Sequence, residues 1–273
     1  MKDLAGKTAV ITGGGSGIGR GTALALADAG MNVVIADIDE AAAKTVADEV
    51  VSRGRAALVV PTDVTDRASV EALADAAWSE FGAVHVLHNN AGVFIFMRLD
   101  SMSDADWRWL LSINLEGVIN GLQVFLPRLK ELDGERHIVN TASMAGMLAG
   151  QYLGAYNATK FAVVAISETL HAELANEGIG VSVLCPGGVN TNIFQHALDL
   201  RPSGGRPMEW PEQLNEQRTT SLRMIDPEDV GRMVRRGIEC NDLYIFTHPE
   251  FEALFRARAD RILAAFERAG RTD

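Results

Sequence analysis

Tyr156 and Lys160 stand four positions apart, the spacing that places two side chains on one face of a helix with Cβ atoms roughly 5–6 Å apart. An unperturbed phenol has a pKa of about 10, so at pH 7 roughly one molecule in a thousand carries the phenolate. A neighbouring ammonium favours the anion, and lowering the pKa by about three units requires roughly 4 kcal/mol. The pair therefore predicts a proton-transfer group for a carbonyl or a carbinol at neutral pH. The alternative is a surface tyrosine beside a solvated lysine.

A glycine-rich turn, TGGGSGIG from Thr12 to Gly19, lies between the first predicted strand and the first predicted helix. Glycine permits the tight turn, lets the backbone approach a pyrophosphate and packs the helix close to the strand. The helix N-terminus then presents free N–H groups to the phosphates. This context predicts a dinucleotide site. The residues expected to contact the cofactor here are Gly13, Ser16, Gly17, Ile18 and Gly19.

Asp37 ends the second predicted strand, where a carboxylate can accept hydrogen bonds from an adenosine ribose and repels a 2′-phosphate. Ser16 and Ile38 occupy the two positions where a phosphate-binding cation would be expected. The sequence therefore predicts NAD rather than NADP. Arg20 lies within reach of the helix start and leaves NADP open, and a helix cap is the structural alternative for Asp37.

Strands and helices alternate along the chain. Apolar runs predict strands over 7–12, 32–36, 56–61, 84–88, 137–141, 180–185 and 244–247. Helical patterns cover 18–29, 40–53, 67–81 (capped by Thr65 or Asp66), 104–129 and 155–176, a stretch after Asp226-Pro227, and 249–268. Continuous apolar strands alternating with helices predict an α/β fold, a doubly wound parallel sheet covered on both faces.

The alternation breaks between 192 and 225, in a stretch rich in proline and glycine. It follows the C-terminal end of a strand, where open α/β sheets bind ligands, so it predicts a substrate lid rather than a linker. We expect residues 1–273 to form a single domain with this insertion. The last helix has apolar residues at helical spacing, which predict core or a subunit interface: Phe251, Leu254, Phe255, Ile262 and Phe266.

Composition limits the partners. A formal charge of −11 argues against nucleic acid, which requires clustered lysine and arginine. The two cysteines and six histidines show no metal-ligand spacing, so no metal is expected. No apolar run approaches the roughly eighteen residues of a membrane span, and the N-terminus enters a strand at once. We expect a cytoplasmic protein with no membrane partner.

Seven motifs follow one another in order: TGGGSGIG from Thr12, the pair Asp63-Val64, NNAG from Asn89, Asn114, Ser143, YNATK from Tyr156 and PGGVNT from Pro186. With these residues the chain resembles the short-chain dehydrogenase/reductase superfamily over nearly its whole length. The resemblance implies a Rossmann fold with a seven-stranded parallel sheet. It also implies a homotetramer, or a homodimer, that pairs through the helices after the fourth and fifth strands.

The same resemblance implies catalytic roles. Tyr156 would be the general acid–base, and Lys160 would hold the nicotinamide ribose and lower the tyrosine pKa. Ser143 would hydrogen-bond the substrate oxygen, although alone it could be a strand-end cap. Asn114 would hold a water that connects Lys160 to solvent. The implied cofactor contacts are Asp63 and Val64 at the adenine, Asn90, Ala91 and Gly92 along the cleft, and Pro186, Gly187, Val189 and Thr191 at the nicotinamide.

The substrate is expected to be an apolar, ring-bearing secondary alcohol or ketone. The residues expected near the pocket are Phe94, Phe96, Met144, Ala145, Gln151, Tyr152, Phe194, Met208 and Trp210. Four arginines could hold a carboxylate or be solvated, namely Arg201, Arg206, Arg218 and Arg223. A preference for NAD favours alcohol oxidation. The alternatives are an NADP-linked ketone or 3-oxoacyl reductase and a non-catalytic NAD-binding regulator, and the intact Ser143, Tyr156 and Lys160 argue against the regulator.

Overall fold

The structure is a computed structural model that describes residues 1–202 and 223–270. Seven strands form one parallel sheet in the order β3-β2-β1-β4-β5-β6-β7. The strands are β1 Thr8–Thr12, β2 Asn32–Asp37, β3 Ala57–Pro61, β4 Val86–Asn89, β5 Arg136–Thr141, β6 Ile179–Cys185 and β7 Tyr244–Phe246. The predicted doubly wound α/β sheet is therefore confirmed.

Helices connect the strands and cover both faces of the sheet. They are α1 Gly17–Asp28, α2 Glu40–Ser52, α3 Arg67–Phe81, α4 Asp104–Leu111, α5 Gly117–Lys130, α6 Gly154–Glu173, α7 Ile193–Leu200, α8 Pro227–Cys240 and α9 Glu252–Ala269. The side chains of α1, α2 and α8 pack on one face, and those of α3, α5 and α6 pack on the other. Both faces of each inner strand are therefore buried, which explains the continuous apolar strand sequences.

The predicted helix over 104–129 is interrupted. Its turns widen into a π-helix at Ser112–Glu116, between α4 and α5. π-turns of this kind occur often at functional sites. Here the turn carries Asn114, which is fully buried. The continuous stretch Asp104–Lys130 is long and apolar enough to span a membrane by length and composition, a test that buried core helices also pass.

The segment predicted as an irregular insertion begins with α7, and residues 203–222, including Met208 and Trp210, lie outside the described residues. At its end, Ile225 pairs with Val189 in an isolated parallel bridge. That bridge joins Ile225 to the loop that follows β6.

From Leu254 onward the apolar stripe of the last helix is not core, whereas Phe251, just before α9, packs against a buried cluster. Every residue of α9 is at least partly exposed, with Leu254 at 58% and Phe266 at 72% of full exposure. The helical spacing was correct, but spacing alone does not say whether a neighbouring element covers the stripe.

Candidate active site

A cleft of about 1470 Å³ runs along the C-terminal ends of the strands. Between β3 and β4 the chain crosses from one side of β1 to the other, and such a switch point is where open α/β sheets bind ligands. The cleft is lined by nearly all of the sequence-predicted site residues, from Gly13 at one end to Tyr156 and Lys160 at the other. Gly19 and Asn114 are the two that lie behind its wall.

The glycine turn is built from backbone that other residues would strain. Gly13 has a φ of +62° and Gly17 a φ of +48°. A Cβ at Gly13 would come within 2.9 Å of the Ala91 Cα, and one at Gly19 within 2.0 Å of the Gly13 carbonyl oxygen. Gly19 therefore serves close packing, while Gly13 and Gly17 leave open the space that a pyrophosphate needs.

Asp37 closes this turn from the end of β2. Its Oδ2 accepts a hydrogen bond from the Gly15 N–H at 2.8 Å, and its Oδ1 accepts one from the Asp39 N–H at 3.0 Å. The helix-cap alternative for Asp37 is wrong, because Asp39 caps α2 through the Ala42 N–H. The carboxylate lines the cleft, where it can meet a ribose.

Arg20, the residue that kept a preference for NADP possible, already forms ion pairs with two glutamates. Its Nη2 contacts Glu49 at 2.6 Å and its Nη1 contacts Glu228 at 3.1 Å. The hydrogen bond that Arg20 donates to Glu49 is the main reason why the pKa of Arg20 is raised above its ordinary value. Arg20 is absent from the cleft lining, so its charge serves the α1–α2–α8 contact instead.

Tyr156 is 7% exposed at the end of the cleft opposite the glycine turn, and its ring makes a T-shaped contact with Phe94, with ring centroids 5.0 Å apart. Burial raises the pKa of Tyr156 to about 12, and the Ser143 hydroxyl offsets only part of this rise. The prediction that Lys160 lowers the pKa of Tyr156 is therefore wrong. Loss of hydration outweighs any attraction between the phenolate and the ammonium.

Lys160 is buried below Tyr156. Its Nζ donates to the Thr141 carbonyl at 2.9 Å and lies 5.7 Å from the centroid of the tyrosine ring. Burial lowers the pKa of Lys160 to about 8. The ammonium thus sits between the end of β5 and the cleft, within reach of a ligand at Gly92, where an added Cβ would lie 3.6 Å from Nζ.

Ser143 and Asn114 fix backbone around this pair. The Ser143 Oγ accepts from the Ala145 N–H at 3.1 Å, so it caps the short turn after β5 while also facing the cleft. Asn114 exchanges two hydrogen bonds of 2.8 Å with the backbone of Val93. Its predicted water-holding role stays a prediction, and the structure adds a second role as a clamp on the loop after β4.

The predicted pocket residues divide into two groups. Phe94, Phe96, Met144, Ala145 and Phe194 line the cleft, whereas Gln151 and Tyr152 do not. Tyr152 instead stacks on Phe96, with ring centroids 5.2 Å apart. Apolar residues that the sequence reasoning missed complete the wall: Trp109, Ile113, Leu148, Leu153 and Leu200.

The four arginines of the predicted lid also differ in their surroundings. Arg201 is neither solvated nor free, because its Nε donates to the buried Asp106 Oδ1 at 2.7 Å. Arg223 is exposed, and Arg206 and Arg218 lie outside the described residues. Instead, Arg258 and Arg261 of α9 line the cleft, which the sequence reasoning had not anticipated.

His248 is another residue near the site whose role the sequence reasoning missed. The Gly187 N–H donates to Thr247 Oγ1 at 3.1 Å and to His248 Nδ1 at 3.2 Å. The other ring nitrogen lies 2.8 Å from the Arg223 carbonyl, so Nε2 carries the proton and donates it there. His248 therefore ties the loop after β6 to the chain that returns from the predicted lid. The sequence feature that could have identified His248 is the polar pair Thr247-His248, which directly follows β7.

Among residues 1–202 and 223–270, no group of three histidine, cysteine or acidic side chains is arranged to hold a metal ion. His88 and His137 are buried, and burial lowers the pKa of each to about 3. Both are neutral hydrogen-bonding residues of the core, with Thr141 and Ser182 as partners.

Known proteins resemble the chain over most of its length. A family profile described as short chain dehydrogenase matches residues 7–200. A short chain dehydrogenase/reductase from Burkholderia phymatum, solved in complex with NAD, is 41% identical with a TM-score of 0.88, covering 97% of each chain. C alpha-dehydrogenase of Sphingobium sp. is 34% identical, covering 96% of this chain and 88% of that protein. The 1-deoxy-11-beta-hydroxypentalenate dehydrogenase of Streptomyces exfoliatus is 33% identical, covering 94% and 88%.

Proposed function

The chain belongs to the short-chain dehydrogenase family, and on that premise we propose that it is an NAD-dependent oxidoreductase that interconverts a secondary alcohol and a ketone. The proposal rests on one observation: Ser143, Tyr156 and Lys160 line the same cleft as the glycine turn and Asp37. A proton-transfer group and a dinucleotide site therefore share one space. The substrate is an apolar, ring-bearing molecule, in keeping with the aromatic and aliphatic wall.

The residues at the cofactor end fit a dinucleotide without a 2′-phosphate. Gly13 and Gly17 leave room for the pyrophosphate, and the N-terminus of α1 points N–H groups toward it. Asp37 would hold the adenosine ribose, with Asp63 and Val64 beside the adenine. Because Arg20 is paired with two glutamates rather than directed at the cofactor end of the cleft, it argues against the alternative of an NADP-linked reductase.

When bound, NAD supplies the acceptor for the carbinol hydride. Tyr156 takes the hydroxyl proton in oxidation and returns one to the carbonyl oxygen in reduction. Ser143 donates to the same oxygen and stabilises the charge that develops there. Lys160 would hold the nicotinamide ribose hydroxyls and place a positive charge beneath the phenol. Pro186, Gly187, Val189 and Thr191 would orient the nicotinamide.

The test is a panel of ring-bearing secondary alcohols and ketones, assayed by NADH absorbance with NAD and NADP in parallel. Any alcohol that is oxidised is then assayed with Tyr156→Phe, which retains the ring packing against Phe94 but lacks the proton-transfer group. We expect kcat to fall by about 10²- to 10⁴-fold, with the NADH dissociation constant unchanged. If Tyr156→Phe keeps full turnover, or if no alcohol or ketone reacts, the proposal is wrong and the regulator becomes the better reading.

We further propose that residues 192–225 form the substrate lid of one catalytic domain and that the enzyme is a homotetramer. The helical start of that segment, α7, lines the cleft and supports the lid. Sedimentation velocity tests the tetramer, and a single monomeric boundary at assay concentration would overturn it.

A further inference from the structure

One face of α9 lines the substrate half of the cleft. Leu254, Ala257, Arg258 and Arg261 all contribute to the lining, and separations of three, four and seven residues put them on one side of a helix. The helix starts near the catalytic end. Phe251, just before it, packs against the apolar cluster that contains Ala142 and Met144, and it comes close to Gly187, where a Cβ would lie 2.9 Å from its ring.

The two arginines give this half of the cleft a positive charge, although the chain as a whole is acidic. The chain has a formal net charge of −11, and the acidic lining residues Asp37, Asp39 and Asp63 lie at or just after the ends of β2 and β3, on the far side of the sheet from β6 and β7. On the α7 wall the acidic side chain is Asp199, whose Oδ1 already accepts a hydrogen bond from Gln195 at 2.9 Å.

Both arginine charges are unpaired within the part of the chain that the structure describes. Within residues 1–202 and 223–270, neither Arg258 nor Arg261 forms an ion pair, whereas Arg256 on the same helix contacts Glu252 at 2.7 Å. The Arg258 guanidinium lies 5.3 Å from the centroid of the Phe161 ring, a cation–π contact that holds the side chain without removing its charge. Guanidinium groups bind carboxylates through paired N–H donors.

We propose that Arg258 and Arg261 bind the carboxylate of the substrate, so that the enzyme acts on hydroxy acids or oxo acids with an extended apolar body. This inference rests on the proposed function. The carbinol lies at Tyr156, the ring or chain lies against the apolar wall, and the carboxylate reaches α9. Phe251 lies against Gly187 at the start of the helix, and Arg258 and Arg261 follow it by seven and ten residues, about 10 and 15 Å along a helix axis, so the acid group is remote from the reacting carbon. Acids with the two groups on adjacent carbons are too short.

The test compares acids with their neutral esters. The probes are lithocholate and ricinoleate, each paired with its methyl ester, and mandelate as an acid that is too short. We expect the wild-type KM for the longer acids to lie about tenfold below that of the esters and to rise with added salt. In Arg258→Gln/Arg261→Gln, the KM for the acids rises about tenfold and the KM for the esters is unchanged. Arg256→Gln, on the same helix but outside the cleft, is the matched control and changes neither.

A binding measurement covers the case in which none of these probes is oxidised. Each acid is added with NADH, and the shift in Tm is compared between the wild type and the double variant. We expect stabilisation by the acids in the wild type, and its loss in the variant, with no stabilisation by mandelate. Equal KM values and equal Tm shifts for acid and ester would overturn this inference alone. If the neutral alcohols and ketones also show no turnover, the result would instead overturn the proposed function.

Discussion

The Lys160 ammonium lies 5.7 Å from the centroid of the Tyr156 ring and donates its hydrogen bond to the Thr141 carbonyl. It is therefore held near the phenol without being bonded to the hydroxyl. Burial dominates both groups, since it raises the pKa of Tyr156 to about 12 and lowers that of Lys160 to about 8. At neutral pH the resting pair is a protonated phenol above a mostly charged ammonium, which suits proton donation to a carbonyl.

The first prediction concerns pH. Oxidation requires Tyr156 to accept a proton, and its pKa of about 12 lies above the assay range, so the reactive phenolate becomes more abundant as pH rises. We expect log kcat/KM for oxidation to rise by about one per pH unit from about pH 6 to pH 8. Above the Lys160 pKa of about 8 the ammonium loses its charge, and the slope should decrease there.

The measurement is a pair of pH profiles with a substrate concentration far below KM, one for the alcohol and one for the ketone. Lys160→Met, which carries no charge at any pH, is the matched variant and should show no change of slope near pH 8. Reduction requires the protonated phenol and should be flat below pH 8. An oxidation profile that is flat over the same range would contradict the raised phenol pKa.

The sequence predicted the parts of the site that depend on local pattern. Asp37 and the glycine turn were found because each has a fixed place relative to a strand end, and Tyr156 and Lys160 because four residues make one helical turn. The direction of the tyrosine pKa could not be found in this way, because it depends on how much water the fold removes. The same holds for the partner of Arg201, which is Asp106, 95 residues away in the chain.

The second prediction concerns cofactor choice. Asp37→Asn removes the charge that would repel a 2′-phosphate while retaining the shape of the side chain. We expect the ratio of kcat/KM for NAD to that for NADP to fall by about two orders of magnitude, roughly 2.7 kcal/mol. The measurement is steady-state kinetics with each cofactor at a saturating alcohol concentration.

Arg20→Gln is the control for that experiment. It breaks the contacts with Glu49 and Glu228, which are partly exposed and should contribute no more than about 1 kcal/mol to stability. The cofactor ratio should stay at the wild-type value. A selective loss of NADP turnover in Arg20→Gln would show that this arginine leaves its glutamates to bind the 2′-phosphate.

The third prediction concerns the buried ion pair between α4 and the end of α7. The side chains of Arg201 and Asp106 are 9% and 1% exposed. Arg201→Met strands a buried carboxylate and should lower the free energy of unfolding at pH 7 by roughly 3 kcal/mol. Because α7 lines the cleft, the substrate KM should rise while the NADH dissociation constant is unchanged. Chemical denaturation and steady-state kinetics measure the two effects.

This loss of stability should depend on pH with a defined sign. Burial raises the pKa of Asp106, but the hydrogen bonds from Arg201 and Ser103 outweigh it and leave the pKa below its ordinary 3.8. A carboxyl with a depressed pKa stabilises the fold above the unfolded pKa and loses that contribution on acidification. The difference in the free energy of unfolding between the wild type and Arg201→Met should therefore become smaller as pH falls below about 4. Arg98→Met, which breaks an exposed pair with Asp100, is the control and should change stability by less than about 1 kcal/mol.

The fourth prediction concerns His248, which holds the loop that would orient the nicotinamide. Its Nδ1 accepts from the Gly187 N–H at 3.2 Å and from the Thr247 hydroxyl at 2.6 Å. His248→Ala removes this acceptor and should weaken NADH binding about tenfold, the effect of one lost hydrogen bond in a buried place. His248→Asn can place an amide oxygen where Nδ1 stands, so it should retain most of the NADH affinity. Fluorescence titration with NADH measures both variants.

This experiment should distinguish the effects of the two ring nitrogens of His248. Nδ1 faces Gly187, whereas Nε2 donates to the Arg223 carbonyl near the end of the predicted lid. His248→Asn loses that contact while keeping the one to Gly187, so its substrate KM should rise although its NADH affinity does not fall. Thr247→Val is the matched control on the Gly187 side and should weaken NADH binding with little effect on substrate KM. If His248→Asn and His248→Ala bind NADH equally weakly, the ring acts through its volume against Phe251 rather than through its hydrogen bonds.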